Sequence, residues 1–325
     1  MPEELPSYDQ LPVREGAPAG SSWGVWGEGD VLGCLNLLTA ERTRAAAGLI
    51  RHGKVFALNW EMNLPDPPLF GRAAFEHHVE WLANEVGHDD SLSGWNTQSS
   101  SQWDGFRHIK SPVHGFYGGV ADEEHGIHHW ARRGLAGRAV LLDVGRWRQA
   151  QGRTLDMTAS DPIEASDLLA TAEAQGTRIA TGDVLLIRTG WIGWYAGLSA
   201  GERQELAGSL KTPGLRPARE TVQTLWDLHI AAVAADNPAL EVWPPGALAT
   251  PETFEAIQAD PERTYELFAH FAILPLLGLP IGEMWNLEPL AEDCAADGVY
   301  EGFFTSAPLN LTAGVASPPN ALVIK

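Results

Sequence analysis

Three runs constrain this chain more than anything else in it. Val140-Leu141-Leu142, Val184-Leu185-Leu186-Ile187 and Ile230 to Ala235 are apolar at every position, not at alternate ones. A strand with one face in water alternates polar and apolar side chains. A strand that is apolar throughout needs cover on both faces, which a sheet sandwiched between helices supplies. Helical segments fall between the runs. Ile163 to Gln175 follows Asp161-Pro162 and stops at Gly176. Ser199 to Leu210 opens with a capping box of Ser199 and Glu202, and Pro217 to Leu228 leads straight into the third run. This alternation predicts a mixed α/β fold with a largely buried sheet.

Upstream, Thr39 caps an Ala-rich helix that ends near His52-Gly53, and Lys54 to Met62 reads as a strand. Pro65, Pro67 and Pro68 exclude regular structure. Phe75 to Val86 fits a short helix, on which the adjacent His77 and His78 point to different faces. Downstream, Pro261 to Leu277 holds a helix carrying His270, Leu279 to Glu283 a short strand or turn, and Asn286 to Ala296 a closing helix. Gly302 to Thr312 and Ala321 to Ile324 are further strands. His125, His128 and His129 have no carboxylate at useful spacing and read as solvated or partly buried. No repeat, low-complexity stretch or linker divides the 325 residues. One domain is therefore expected over 23–325, preceded by an extended arm, 1–22, that holds four prolines.

Charge narrows the function. Asp and Glu number 42 against 22 Lys and Arg, a formal net charge of −20. That field repels phosphate backbones and anionic lipid surfaces, so nucleic acid and membranes are not expected partners, which leaves a small-molecule substrate. Cys34 and Cys294 form no CxxC pair, zinc-finger spacing or disulfide framework and read as buried thiols. The first twenty residues lack the basic start and apolar run of a signal peptide, and no stretch is long enough to span a bilayer. The expected location is the cytoplasm.

One stretch stands out chemically: Gln98-Ser99-Ser100-Ser101-Gln102-Trp103-Asp104-Gly105-Phe106-Arg107-His108. It is polar, dense in groups that ligate metals or move protons, and has neither a helical nor an alternating period. Segments of this kind run over a rigid scaffold and often carry the chemistry. Close behind it lie His114, Phe116 and Tyr117 which, like Trp103, are of the type that lines a pocket for a flat organic ligand.

With those residues in view, the chain resembles the cyclase-like metal-dependent hydrolases, the group that includes bacterial kynurenine formamidase and isatin hydrolase. Their His-x-Gly-Thr-His-x-Asp-x-Pro-x-His loop matches Gln98, Ser100, Ser101, Gln102, Asp104, Phe106 and His108. Their downstream His and Glu match His270 and Glu283. The resemblance extends to Gly-Arg-Ala-Val-Leu-Leu-Asp-Val, Gly-Asp-Val-Leu-Leu-Ile-Arg-Thr-Gly-Trp and Asn-Leu-Glu-Pro-Leu, and covers the chain from about Trp23 onward. The chain also departs from the pattern. Gln98 and Gln102 stand where the formamidases have histidine ligands, Phe106 replaces a proline, and His270 and Glu283 are one residue further apart. These features are similar to the branch written Gln-Ser-Ser-Ser-Gln-Trp-Asp-Gly.

The resemblance implies a single-domain swivelling β/β/α fold, with a small mixed sheet packed on helices, in a homodimer or homotetramer. It implies a divalent ion, manganese or zinc, held by Asp104, His270 and Glu283 with Gln102 completing the set. Gln98 would border it and bind substrate, and His108 with Asp104 would act in catalysis. Carboxylates and an amide oxygen shift the preference toward manganese or magnesium relative to zinc. The closing segment Ser317-Pro318-Pro319-Asn320 would bring Asn320 toward the substrate. The activity implied is hydrolysis of an amide, lactone or ester of a small metabolite. Two alternatives remain: a lyase or cyclase using the same pocket, and a metal-free binding protein that lost its ion along with the two histidines.

Overall fold

The structure is a computed structural model describing residues 4–325. Its strands are β1 (Val55–Ala57), β2 (Glu76–Trp81), β3 (His88–Ser93), β4 (Gln102–Asp104), β5 (Leu135–Asp143), β6 (Pro162–Ile163) and β7 (Val184–Arg188). They continue as β8 (Gly214–Leu215), β9 (Ala232–Ala235), β10 (Ile281–Glu283), β11 (Glu301–Ser306), β12 (Ala316–Ser317) and β13 (Ala321–Ile324). The helices are α1 (Ala40–Ala47), α2 (His128–Arg133), α3 (Val144–Ala150), α4 (Ala165–Ala174) and α5 (Trp191–Ala196). After them come α6 (Ala200–Gly208), α7 (Arg219–Asp227), α8 (Pro251–Ala259), α9 (His270–Ile273) and α10 (Glu288–Asp297).

Nine strands form one sheet in the order β1-β13-β11-β5-β7-β9-β10-β4-β12. The three apolar runs lie side by side at its centre as β5, β7 and β9, paired in parallel with β10 beyond them. Val140, Leu142, Val184, Leu185, Leu186, Val233 and Ala234 have no exposed surface, as strands covered on both faces require. The expected mixed α/β architecture is the one found. The sheet is larger than expected, because two short polar segments, Gln102–Asp104 and Ala316–Ser317, join it.

Local chemistry sets the helix boundaries. The Thr39 hydroxyl accepts from the Arg42 N–H at 3.2 Å at the start of α1, and Glu202 accepts from the Ser199 N–H at 2.8 Å at the start of α6. Before α1 the chain packs across α7: Tyr8 is buried, its N–H donates to Asp227 at 2.7 Å, and the Trp226 indole donates to the Pro6 carbonyl. Among the described residues no helix is long and apolar enough to cross a membrane.

The sequence reading fails at Phe75 to Val86. Instead of a helix, β2 and β3 form an antiparallel hairpin outside the main sheet. Nearly every residue in it is exposed, so neither period is enforced by burial, and cross-strand pairs such as His77 with Asp90 (2.9 Å) hold it together. His125, expected to be solvated or partly buried, is fully buried against the Tyr117 carbonyl at 2.8 Å.

Candidate active site

The polar stretch is half strand and half turn. Gln102–Asp104 is β4, lying antiparallel to β10 with Gln102 opposite Glu283 and Asp104 opposite Ile281. Side chains alternate along a strand, and directly paired residues share a face. Gln102, Asp104 and Glu283 therefore project to one side of the sheet, all buried. Trp103 must then point the other way. It has no exposed surface, donates its indole N–H to Ser306 at 2.9 Å and packs edge-on against Trp285 at 4.7 Å.

The expectation that Trp103 lines the pocket is corrected by this register: Trp103 is a core residue behind the site. Trp103→Ala is expected to destabilise the protein by about 3–5 kcal/mol, the usual range for deleting a buried large aromatic. Denaturant titration checks this. A loss below about 1 kcal/mol would contradict the packing.

The turn after β4 returns His108 to the cluster. Gly105 is required there, because a Cβ would lie 2.6 Å from the Val315 carbonyl oxygen. The His108 N–H donates to the Gly105 carbonyl at 2.9 Å. Its ring lies 4.0 Å from Asp104 and 3.1 Å from the Gln98 amide nitrogen, which itself donates to Asp104 at 2.6 Å. Burial holds the His108 pKa below the ordinary imidazole value, and the charges of His270 and Arg72 push the same way against Asp104. His108 is therefore a neutral imidazole at neutral pH, the form that accepts a proton.

His270 enters from across the site as the first residue of α9. Its Nε2 lies 3.2 Å from Glu283 and 4.0 Å from Asp104. One ligand atom each from Asp104, His270 and Glu283 falls within 4.8 Å of the others, a candidate metal-binding triad. Burial alone would lower the His270 pKa, but hydrogen bonds to Glu241 and Glu283 lift it to about 10. Glu283 is raised to about 7 by burial and by the Asp104 charge.

Two members of the site were not anticipated. Glu241, fully buried, accepts from His270 Nδ1 at 2.5 Å and from the backbone N–H of His270 at 3.0 Å, and its other oxygen accepts from the Ala269 N–H. It fixes both the ring tautomer and the start of α9, leaving Nε2 to face the carboxylates. Arg72 donates through Nη1 to the Gln98 carbonyl, and its charge acts on Asp104, Glu283 and His108. Glu241 follows apolar Ala239-Leu240 and is 29 residues from His270, so no spacing marks it.

Other expected site residues lie elsewhere. His114 pairs with Glu262 at 3.1 Å on the turn before α9. Tyr117 is buried in the core against Phe106 and donates to Asp30 at 3.1 Å, so its role is structural rather than substrate-facing. Phe116 is half-buried, and among the described residues no hydrogen bond or ring contact joins it to the carboxylates. Asn320 is exposed with φ 43° and donates to the Ala307 carbonyl at 3.0 Å, which holds the turn into β13.

Whether these side chains suit a divalent cation is tested by Gln102. Its Nε2 donates to Glu283 at 2.7 Å, while its Oε1 is buried without a hydrogen-bond partner among the described residues. Rotating the amide by 180° aims that carbonyl oxygen at the carboxylates, where a cation between them would give it a partner. Two carboxylates, one imidazole nitrogen and one amide oxygen offset a charge of two and suit an oxygen-preferring ion. The donor set fits.

The Cyclase family model, described as "Putative cyclase", matches residues 62–242. No curated protein matches the sequence. Among solved structures, one described as a novel cyclase is 30% identical with a TM-score of 0.76, covering 94% of this chain and 99% of that one. Isatin hydrolase A from Labrenzia aggregata, bound to benzyl benzoate, aligns at 17% identity and a TM-score of 0.54 over 85% of this chain and 94% of its own. Isatin hydrolase A from Ralstonia solanacearum aligns at 17% and 0.56, over 88% and 98%. At these lower identities the likeness is one of fold.

Proposed function

Because the chain belongs to the cyclase family, we propose that it is a metal-dependent hydrolase cleaving an amide, lactone or ester bond of a small metabolite. The observation that carries this reading is the convergence of Asp104, His270 and Glu283, from three separate segments, on one buried point. Asp104, His270 Nε2 and Glu283 would hold the ion, with Gln102 Oε1 as the fourth donor. A divalent ion in such a set supplies a Lewis acid that polarises a carbonyl and makes water more acidic.

The chain's own groups do the rest. His108, neutral and beside Asp104, takes the proton of the attacking water as its oxygen bonds to the acyl carbon. His108 then returns that proton to the departing nitrogen or oxygen as the old bond breaks. Gln98 donates to Asp104 and contacts the His108 ring, which orients both.

Elemental analysis of the purified protein tests the reading. About one equivalent of manganese or zinc is expected, and His270→Ala should lose it. Formamide, lactone and cyclic-imide substrates should then be screened with the loaded protein. A protein that takes up no divalent ion on addition, yet does so after Gln102→His, would overturn the reading in favour of a metal-free site.

A further inference from the structure

The hairpin of β2 and β3 forms its own two-stranded sheet, outside the nine strands of the main one. Its register, with Val79 opposite Asp90 and Trp81 opposite His88, puts His77, Val79, Trp81, His88, Asp90 and Leu92 on one face. Val79, Trp81 and Leu92 are 58%, 62% and 41% exposed there, while the opposite face is polar throughout. Nothing inside the subunit requires an apolar side on this hairpin, yet it has one. A two-stranded hairpin alone is marginal in water, and three or more strands with a hydrophobic face are needed for it to hold.

The edge open to further strands is that of β2. The Leu82 N–H donates to the Gly87 carbonyl at 2.9 Å, which makes 82 and 87 a hydrogen-bonded pair at the base of the turn. Antiparallel pairs alternate, so the backbone groups of Glu76, His78 and Glu80 turn inward to β3 and those of His77, Val79 and Trp81 turn outward. Among the described residues no backbone hydrogen bond from another segment reaches these outward groups. Sheets commonly block such an edge with Lys, Pro or a bulge. β2 has none of the three: Glu-His-His-Val-Glu-Trp runs in unbroken register.

We infer that β2 pairs antiparallel with β2 of a second copy of this chain about a two-fold axis at Val79, joining two hairpins into one four-stranded sheet between subunits. Charge selects both the partner and the register. With Val79 opposite Val79, all three outward residues are paired, His77 faces Trp81, and each His78 imidazole lies opposite the Glu80 carboxylate of the other copy. Moving the axis to His78 sets Glu76 against Glu80, and moving it to Glu80 sets that carboxylate against itself. The β3 edge is worse, because the register that pairs all its outward groups sets Asp90 against Asp90. The axis at Val79 also keeps the apolar faces on one side, so Val79, Trp81 and Leu92 of both copies share one surface.

Light scattering of the full-length protein over a range of concentrations tests this. The wild type is expected as an even-numbered assembly. Val79→Pro removes an outward N–H and leaves the bonds to β3 in place, so it should halve the mass with the circular dichroism spectrum unchanged. H78E sets a second carboxylate against Glu80 and should also halve the mass. The double variant H78E/E80H puts the same two groups back in opposite order and should restore it. Both charge variants lie on the polar face of the hairpin, so they decide the matter even if the proline variant misfolds. A wild type that stays monomeric at every concentration overturns the inference. So does a folded Val79→Pro protein of full mass, and so does a loss of assembly in H78E that the double variant fails to recover.

Discussion

Glu241→Ala is expected to cost the fold about 3–5 kcal/mol, the range for removing one partner of a buried ion pair. Both oxygens of Glu241 are used inside the protein, on His270 Nδ1 and on the first N–H groups of α9, and no part of the residue reaches solvent. Alanine leaves the buried His270 Nδ1–H without an acceptor and leaves the start of α9 uncapped. Glu241→Gln separates the two roles. Its amide oxygen still accepts a hydrogen bond, so stability should largely survive. The ring loses its anionic partner, and metal affinity should fall about 10–100-fold, as for other residues that orient a metal-binding histidine. Thermal melts and metal titration of both variants check this. A Gln variant with wild-type affinity would remove Glu241 from the site's function, and a stable Ala variant would remove it from the fold.

The second large effect concerns the proton. His108→Ala should lower kcat by about 10²–10⁴-fold, the usual share of a positioned acid–base group, with metal content unchanged because His108 is outside the ligand set. The pH dependence follows from its environment. Burial holds the His108 pKa below the ordinary imidazole value, so the neutral ring persists into mildly acidic solution. As the pH falls through that lowered pKa, the ring gains a proton and can no longer accept one, and kcat falls. The acid limb assigned to His108 therefore lies below the ordinary imidazole pKa and is absent in the Ala variant. A profile whose acid limb persists unchanged in His108→Ala assigns the base to another group.

The parts of the chain legible in advance were those where burial writes a period. The runs Val140–Leu142, Val184–Ile187 and Ala232–Ala235 in β5, β7 and β9 are apolar at every position because both faces of the sheet are covered there, and Ser199 with Glu202 marks α6 by its own hydrogen bonds. β4 was hidden because three residues are too few to show alternation, and its two polar members face the reaction centre instead of water. β2 was misread as part of a helix because the exposed hairpin it forms with β3 has no face that must be apolar. Asp104, His108, His270 and Glu283 were visible as residue types through the resemblance. Glu241 and Arg72 were not, since each acts through a tertiary contact that leaves no local pattern. Trp103 was placed on the wrong side because facing direction depends on a register that only strand pairing sets.

The position of β4 in the sheet has a further consequence for biosynthesis. β4 is flanked by β10 on one side and by β12 on the other, so its backbone is fully paired only when residues 316–317 are present. A ribosome delivers Gln98 to His108 early and Glu283 much later, with β12 later still. Until then the stretch carrying Asp104 emerges as an unpaired strand with exposed edges, the kind of segment that associates with other nascent chains. Closure of the cluster of Asp104, His270 and Glu283 is therefore among the last events of folding. Non-local pairing of this kind makes folding slow, and the same late strand that completes the sheet also ends the period in which the chain is most exposed to aggregation.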